Sequence, residues 1–322
     1  MIAHSGEYRK KNGQRGYVMM NNFIFENKTK VYFGKGGVKE YLGGLLANFG
    51  ETVMLAYGGG SIKRNGAYDE IMGILNAQGK CVVEFSGIMS NPTYAKVQDG
   101  AKLARENHVD LILAVGGGSV SDCCKVISGA FDTLSHAMET YFGKPDENNL
   151  SDDINEAAMR SVIRNIRILL TDPENYDARS ELAWASAMAE NGVLKIGKVT
   201  DFQAHQIEHQ LGAYTNCNHG AGLAVIHPVL YRHIYKSGAA RFTRWAQNVW
   251  GIAPKGSDGE TAAGIDALAA FIKEIGLPTS FAELGIPADT DFRAVADSTN
   301  ITAGCCKKLT HDEIYEILQE CL

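Results

Sequence analysis

The sequence predicts an α/β domain followed by an all-α domain. Two short apolar runs, at residues 52–57 and 110–115, each lead into Gly-Gly-Gly-Ser and then into a helical pattern. Apolar strands without polar alternation that alternate with helices are typical of a parallel sheet covered on both faces, as in a Rossmann-like domain. After about residue 130 only helical patterns follow. We therefore expect an α/β domain at 21–128 and a helical domain at 129–322.

The first 20 residues differ from the rest of the chain. They are polar, contain scattered glycines and show no hydrophobic period, so we expect a disordered leader. Met19 and Met20 stand where the structured pattern begins. Our hypothesis is that translation starts there.

The α/β domain is expected to contain strands and helices in alternation. A strand-like run at 31–33 opens the series, although it is only three residues long. The remaining elements, in order, are a helix at 36–49, a strand at 52–57, a helix at 62–78, a strand at 81–85, a helix at about 93–107 and a strand at 110–115.

The second domain is expected to be built from helices alone. Helical patterns cover 131–143, 151–170, 174–195, 201–212, 220–236, 239–249 and 258–275. Asp152 or Asp153 is a suitable N-cap for the second of these helices, and Pro173 stands at the start of the third.

Composition and charge narrow the function. The chain has 322 residues, 45% of them hydrophobic, and a net charge of −6. A mildly acidic chain lacks the basic surface that nucleic acids and anionic membranes attract. Seven cysteines are an odd number and include no C-x-x-C pair, so a complete disulfide framework is not expected. A reducing, cytoplasmic location is the simplest interpretation.

The two glycine-rich turns are candidate phosphate sites. A buried strand that runs into bare backbone N–H groups at the start of a helix is suited to an anion. Neither turn fits G-x-G-x-x-G, and each could also be only a tight connection between strand and helix. Two such turns in one domain favour a nucleotide.

Histidines and an aspartate in the helical domain form a second constellation. Asp132 and His136 are four residues apart, as are His205 and His209, so each pair shares one helix face; His219 follows in a His-Gly turn. Any one of these histidines could be an ordinary core or surface residue. Together, imidazoles and a carboxylate are the donors that a divalent metal needs.

With these motifs, the chain resembles the iron-containing (type III) alcohol dehydrogenases, in particular their NADPH-dependent, butanol dehydrogenase-like branch. The resemblance extends from about residue 21 to the C-terminus. The matching segments are YGGGSIKRNG at 57–66, NP at 91–92, AVGGGSVSD at 114–122, GAFDTLSHAMETY at 129–141 and HQIEHQLGAYTNCNHGAGLAVIHP at 205–228. It implies a Rossmann-like domain and a helical, metal-binding domain like that of dehydroquinate synthase.

The resemblance also implies roles for individual residues. Fe²⁺ or Zn²⁺ would be held by Asp132, His136, His205 and His219, and His209 would pass a proton near the nicotinamide. The cofactor would contact two glycine turns and their surroundings: Gly58, Gly59, Gly60, Ser61, Lys63, Asn91, Pro92, Gly116, Gly117, Gly118, Ser119 and Asp122. Short- to medium-chain aldehydes or primary alcohols would be the substrates, and the enzyme would be a homodimer.

The first turn favours NADPH over NADH. NAD-specific sites usually place an acidic residue where it binds the ribose hydroxyls. Here the turn carries no carboxylate, and Lys63 and Arg64 follow it. The alternative is that these two cations are ordinary solvated helix residues.

The spacing of the motifs departs from the family pattern at one place. Only fifteen positions separate Gly117 from Asp132, and about 80 residues that the family has in between are missing, a sizeable part of a domain. The junction lies within 125–132, and a gene-model error, an assembly error and a real internal deletion all stay open as its origin. We expect the shortened sheet to expose an edge and an apolar face. Two alternatives stay open: a polyol dehydrogenase of the glycerol dehydrogenase type, and a catalytically dead, metal-binding remnant.

Overall fold

The computed structural model describes residues 24–27, 29–88, 94–116, 123–144, 148–253, 258–302 and 306–322. The chain divides into two compact units, one of residues 28–126 and one that contains residues 127–322. No helix among the described residues combines the length and apolar character needed to cross a membrane. The expected leader at 1–20 lies outside the described residues.

Within its described residues, the smaller unit is a three-stranded parallel sheet with helices. Its strands are β1 (Thr52–Tyr57), β2 (Cys81–Phe85) and β3 (Leu111–Val115), in the order β2-β1-β3. Its helices are α1 (Gly37–Leu46), α2 (Ser61–Arg64), α3 (Ala67–Ala77) and α4 (Tyr94–Glu106). The Rossmann-like expectation is confirmed in this reduced form.

Two details of this unit differ from the sequence prediction. The run at 31–33 forms no strand, and its side chains are exposed. The single helix expected at 62–78 is instead two helices, since the chain turns at Gly66 with a φ of 81°. Glycine adopts this left-handed conformation without the steric cost that a Cβ would bring.

The central strand carries the core of the smaller unit. Val53 and Leu55 of β1 are fully buried, as are Leu46 of α1 and Leu75 of α3. Val53 pairs with Val82 of β2 on one side and with a residue of β3 on the other. β1 is therefore the strand around which the unit is packed.

β3 has the composition of an internal strand but lies at the edge of the sheet. Its sequence LILAV is apolar at every position, yet its side chains alternate between half-buried and exposed, and Ile112 is 60% exposed. Within the described residues its only strand partner is β1. In this part of the chain the expected open edge is present, and the apolar face is exposed at Ile112 of β3 but covered at Met54 of β1, which is 2% exposed.

The larger unit is helical. It contains most of α5 (Cys123–Tyr141), and then α6 (Leu150–Thr171), α7 (Tyr176–Glu190), α8 (Gln203–Thr215), α9 (His219–Ile234), α10 (Ala239–Asn248), α11 (Asp258–Glu274), α12 (Phe292–Ser298) and α13 (His311–Glu320). The sequence analysis did not predict α12 and α13. The helix expected at 131–143 begins earlier than predicted, since α5 is continuous from Cys123 to Tyr141.

The starts of α6 and α7 differ from the expected caps. Asn149 is the N-cap of α6, and its side chain accepts from the N–H of Asp152, whose carboxylate in turn accepts from the N–H of Asn149. Asp152 is thus the third helical residue of a capping box. Asn175 is the N-cap of α7, so this helix begins three residues after Pro173, which was expected at its start.

Helices α5 and α9 approach closely in the middle of the larger unit. A Cβ added to Gly220 would lie 2.1 Å from the carbonyl oxygen of Ser128, so only glycine fits at this position. α9 is buried along almost its whole length. This contact brings the first residue of α9, His219, toward the face of α5 that carries Asp132.

Candidate metal centre

Three helices bring four predicted ligands together. Asp132 and His136 lie one turn apart on α5, His205 lies on α8, and His219 is the first residue of α9. The spacing of four residues places Asp132 and His136 on one face, as predicted from the sequence. The other two histidines come from helices that are distant along the chain, and local spacing does not show how these helices pack.

The geometry centres on one oxygen. The Oδ1 atom of Asp132 lies 3.6 Å from the Nε2 atom of His136, 3.4 Å from that of His205 and 3.5 Å from that of His219. Bonds of about 2.1 Å to a tetrahedral ion place its ligand atoms roughly 3.4 Å apart. The three distances match this separation.

The donor set fits a divalent cation. Asp132 Oδ1 is buried and makes no hydrogen bond within the described part of the chain. A buried carboxylate oxygen without a donor is costly, and three imidazole nitrogens face it. A cation among these four atoms would satisfy the oxygen and the nitrogens together.

Two buried glutamates orient two of the imidazoles. The Nδ1 atom of His205 contacts Glu139, whose carboxylate also accepts from the backbone N–H of Ala204 at 2.6 Å. The Nδ1 atom of His219 contacts Glu208 in the same way. A proton held on Nδ1 leaves the lone pair of Nε2 directed at the site, which is how carboxylates orient metal-binding histidines.

The ionisation of the site follows its charges. Burial opposes the charged form of Asp132, but the facing imidazoles of His205 and His219 outweigh it and hold the Asp132 pKa below its usual value. Burial is likewise overcome at His205, where Glu139 and Asp132 raise the pKa to about 9. At His219, Asp132 and Glu208 outweigh burial and raise the pKa to about 10. Burial and the neighbouring His205 lower the pKa of His136.

His209 lies beside the four residues and not among them. It follows His205 by one helical turn, is exposed, and stacks on the His219 ring with centroids 5.3 Å apart. Burial and the nearby His219 lower its pKa. Its position at the solvent side of the cluster is compatible with the predicted proton-passing role.

The sequence analysis missed two acidic residues at the site. Glu208, which lies between His205 and His209 in the sequence, orients His219. It precedes His219 by eleven residues, and a helical period does not predict contact at this spacing. Glu190, the last residue of α7, places its Oε1 atom 3.0 Å from His136 Nε2. Its approach depends on how α7 packs, which no local pattern reveals.

The predicted cofactor residues are only partly described. Gly58, Gly59 and Gly60 follow β1, and Ser61 begins α2. Gly116 follows β3. Asn91, Pro92, Gly117, Gly118, Ser119 and Asp122 lie outside the described residues.

Lys63 has a carboxylate partner that its local sequence does not show. Its ammonium lies 3.7 Å from Glu84 of β2 and 4.5 Å from the centre of the Tyr68 ring. Glu84 pairs in register with Leu55 of β1 and accepts hydrogen bonds from the hydroxyls of Tyr57 and Tyr68. The cation next to the first glycine turn is therefore partly balanced.

Two family models match this chain. The model of the iron-containing alcohol dehydrogenases matches residues 28–158, and that of the C-terminal region of the same family matches residues 126–322. The chain belongs to the iron-containing alcohol dehydrogenase family. The two matches overlap over residues 126–158, a range that includes Asp132 and His136 of α5.

Relatives of known name align with this chain over most of its length. NADH-dependent butanol dehydrogenase A of Clostridium acetobutylicum is 29% identical, with 94% of this chain and all of the relative covered. The NADPH-dependent aldehyde reductase YqhD of Escherichia coli is 26% identical, with 83% and 90% covered. A crystal structure of a butanol dehydrogenase A from Thermotoga maritima superimposes with a TM-score of 0.88 at 26% identity, covering 94% of this chain and 99% of that one.

The alignment with the Clostridium enzyme also gives the total number of its positions that have no counterpart in this chain. It runs over 389 positions and includes 94% of this chain, which is about 303 of its 322 residues. About 86 positions of the Clostridium enzyme thus have no counterpart here. This number agrees with the roughly 80 residues whose absence the sequence analysis inferred.

Proposed function

We propose that this chain is a metal-dependent alcohol dehydrogenase or aldehyde reductase. It would move a hydride between NAD(P)H and a short- to medium-chain aldehyde or primary alcohol. One observation carries the proposal: the Nε2 atoms of three histidines lie within 3.4–3.6 Å of Asp132 Oδ1. In the described part of the chain this oxygen makes no hydrogen bond. The relatives named as butanol dehydrogenases and an aldehyde reductase support the same substrate class.

Four side chains of the helical unit would hold the metal ion. Asp132, His136, His205 and His219 would bind Fe²⁺ or Zn²⁺, and Glu139 and Glu208 keep two of the imidazoles in the metal-binding orientation. A divalent ion bound there would polarise the carbonyl oxygen of an aldehyde. NAD(P)H would provide the hydride.

His209 is the proposed proton carrier. Its ring is exposed, and it stacks on His219, so it is next to the ligand set and in contact with solvent. An imidazole at this position can pass a proton to the oxygen that becomes the alcohol.

NADPH is the proposed cofactor. The first glycine turn carries no carboxylate, and Arg64 stands beside Lys63 in α2. Glu84 reduces the charge that Lys63 offers to a 2′-phosphate, and the Clostridium relatives are named NADH-dependent. Cofactor kinetics should therefore test the preference for NADPH over NADH first.

The assembly and location are proposed as a homodimer in the cytoplasm. The composition without a disulfide framework supports the location. Light scattering on the purified chain would measure the mass in solution, and a monomeric mass would contradict the dimer.

The experiment that tests the function joins metal content to activity. The chain is loaded with Fe²⁺ or Zn²⁺, and butanal reduction is followed with NADPH, with glycerol oxidation as the arm for a polyol dehydrogenase. His205→Ala should lose at least about tenfold in metal affinity and in reduction, whereas His233→Ala, which removes a histidine paired with Glu320 elsewhere, should not. Unchanged metal content in His205→Ala would refute the site.

A further inference from the structure

The two cations that follow the first glycine turn have different surroundings. Lys63 and Arg64 are the last two residues of the short helix α2. Because successive side chains leave a helix about 100° apart, the two cations do not reach the same neighbours. Each can therefore have a different role toward a nucleotide at this turn.

Lys63 is engaged within the protein. Its ammonium lies 3.7 Å from Oε2 of Glu84, 4.5 Å from the centre of the Tyr68 ring and 5.5 Å from that of the Tyr57 ring. The hydroxyls of both tyrosines donate to Glu84 and lower the pKa of its carboxyl group. A fixed, charged carboxylate thus stands beside Lys63.

Arg64 lies against the glycine turn itself. A Cβ on Gly60 would lie 3.2 Å from Nη1 of Arg64, so the guanidinium occupies the space that a side chain at Gly60 would need. Arg64 is exposed, and in the described part of the chain it makes no ion pair and no side-chain hydrogen bond. The N–H donors of its guanidinium are therefore available to a ligand at the turn.

The turn has the space and the charge that an anionic group needs. A Cβ on Gly59 would meet no atom within 4 Å, so the middle of the turn is open. The segment from Gly58 to Ser61 contains no carboxylate that would repel a phosphate. An open turn with a guanidinium at its side fits the phosphorylated ribose of a nucleotide.

We propose that Arg64, and not Lys63, binds the 2′-phosphate of NADPH. This inference rests on the proposed function, because it places the adenosine end of the cofactor at the first glycine turn. It differs from the family resemblance, which implied Lys63 as the cofactor contact.

The chemistry of the two side chains supports this assignment. A guanidinium is always charged in proteins, and its planar fork donates two parallel hydrogen bonds to one phosphate. In wound α/β dinucleotide sites an arginine near the turn accommodates a 2′-phosphate. Lys63 would have to leave Glu84 to do the same, and the carboxylate would then face the phosphate as a like charge.

Two nucleotides without a nicotinamide isolate this contact. The full-length chain is titrated calorimetrically with 2′,5′-ADP, which carries the 2′-phosphate, and with 5′-AMP, which lacks it. We expect the native chain to bind 2′,5′-ADP more tightly than 5′-AMP. Arg64→Met should lose at least about tenfold in affinity for 2′,5′-ADP and less than about twofold for 5′-AMP, because hydrogen bonds between charged groups are the strong ones.

Lys63→Met is the matched control, since it removes the neighbouring cation and leaves a side chain of similar length. It should lose less than about threefold in affinity for 2′,5′-ADP, because Glu84 already balances much of its charge. Arg64→Lys, which keeps the charge without the fork, should bind 2′,5′-ADP with an affinity between those of the native chain and Arg64→Met.

The outcomes distinguish this assignment from the proposed function. An equal or larger loss for 2′,5′-ADP in Lys63→Met than in Arg64→Met would overturn the assignment alone. Parallel losses of both nucleotides in Arg64→Met, with the circular dichroism of the native chain, would show that Arg64 supports the turn and does not bind the 2′-phosphate. Failure of the native chain to bind either nucleotide would overturn the cofactor site, and with it the proposed hydride transfer.

Discussion

Gly59 is the residue at which cofactor preference is most directly tested. A Cβ at this position would meet no atom within 4 Å, so a side chain fits without strain. Gly59→Asp would place a carboxylate beside the proposed 2′-phosphate position, and like charges in contact disfavour binding. We expect the ratio of kcat/KM for NADPH to that for NADH to fall at least about tenfold, since such contacts cost on the order of a kcal/mol or more.

The control for this change is Gly59→Ala, which adds bulk without charge. It should leave the ratio close to that of the native chain. A native chain that uses NADH as well as or better than NADPH would contradict the proposed preference, and would point to the Lys63–Glu84 pair as the reason.

His227 is a buried titrating group that should make stability depend on pH. Burial lowers its folded-state pKa from 6.5 to about 4, and its Nε2 contacts the hydroxyl of Ser135. The unfolded chain takes up a proton near pH 6.5, whereas the folded chain resists it down to about pH 4. The stability that neutral His227 contributes is thus complete above about pH 6.5 and is lost as the pH falls toward about 4.

Denaturant unfolding of the native chain and His227→Gln measures this effect. Between about pH 7 and pH 5 the native chain should lose about 2 kcal/mol more than the variant, on the order of 1.4 kcal/mol for each pH unit below about 6.5. Glutamine keeps a polar partner for Ser135 and cannot titrate in this range. Equal pH dependence in both proteins would show that His227 does not control it.

At the scale of the elements, the long helices were the most predictable. α6 and α9 lie within one or two residues of the expected ranges, because their hydrophobic periods are sustained over several turns. α12 and α13 are 7 and 10 residues long and were missed. Thr310 and Glu313 form a capping box at the start of α13, and this local signal could have identified it.

The strand prediction failed where a partner was required. The apolar run at 31–33 has strand-like residues but no neighbouring strand within the described chain, and strand formation depends on pairing more than on propensity. β3 was correctly located, but its apolar composition indicated burial on both faces, which its edge position does not provide.

Asp152 ties the start of α6 to two buried cations. Its Oδ1 atom lies 2.6 Å from the ammonium of Lys198 and 2.9 Å from Arg241, and all three side chains are almost completely buried. Removal of this carboxylate breaks its buried ion pairs with both cations, and breaking a buried pair typically costs about 3–5 kcal/mol. We expect Asp152→Ala to lower the free energy of unfolding by this amount.

Asp153→Ala is the matched control, since the neighbouring Asp153 is 62% exposed and pairs with Arg244 at the surface. It should cost less than about 1 kcal/mol, as exposed ion pairs usually do. Urea unfolding of the two variants at one pH compares them directly. A similar loss in both would mean that the buried network contributes no more than an exposed pair.

At the scale of the whole molecule, the site residues that could be predicted are those that belong to short motifs in the sequence. The i, i+4 pairs and the His-Gly turn are visible in the sequence as candidate metal donors, and the family resemblance selects Asp132, His136, His205 and His219 among them. Glu190 and Glu208 were not identified, because their positions at the site arise from how α7, α8 and α9 pack. A ligand that belongs to a spaced motif can be found in the sequence, whereas a carboxylate brought in by helix packing cannot.

The missing segment separates metal binding from catalysis. All four predicted ligands lie within the helical unit, at or after the end of the junction at 125–132, and they converge despite the shortening. In the described part of the α/β unit, by contrast, β3 pairs with β1 alone, and its Ile112 is 60% exposed. Hydride transfer needs the nicotinamide within about 3–3.5 Å of the substrate carbon, and a displacement of about 1 Å can cost about a hundredfold in rate.

We therefore expect this chain to retain metal affinity but to reduce aldehydes at least about a hundredfold more slowly than a version with the family's segment restored at the junction. The two proteins are compared in butanal reduction at equal metal content, with light scattering to follow aggregation through the open edge of β3. Lower aggregation and faster turnover in the restored chain would show that a complete sheet and a working cofactor site require the segment. Comparable turnover in both would instead show that three strands are enough to position the cofactor.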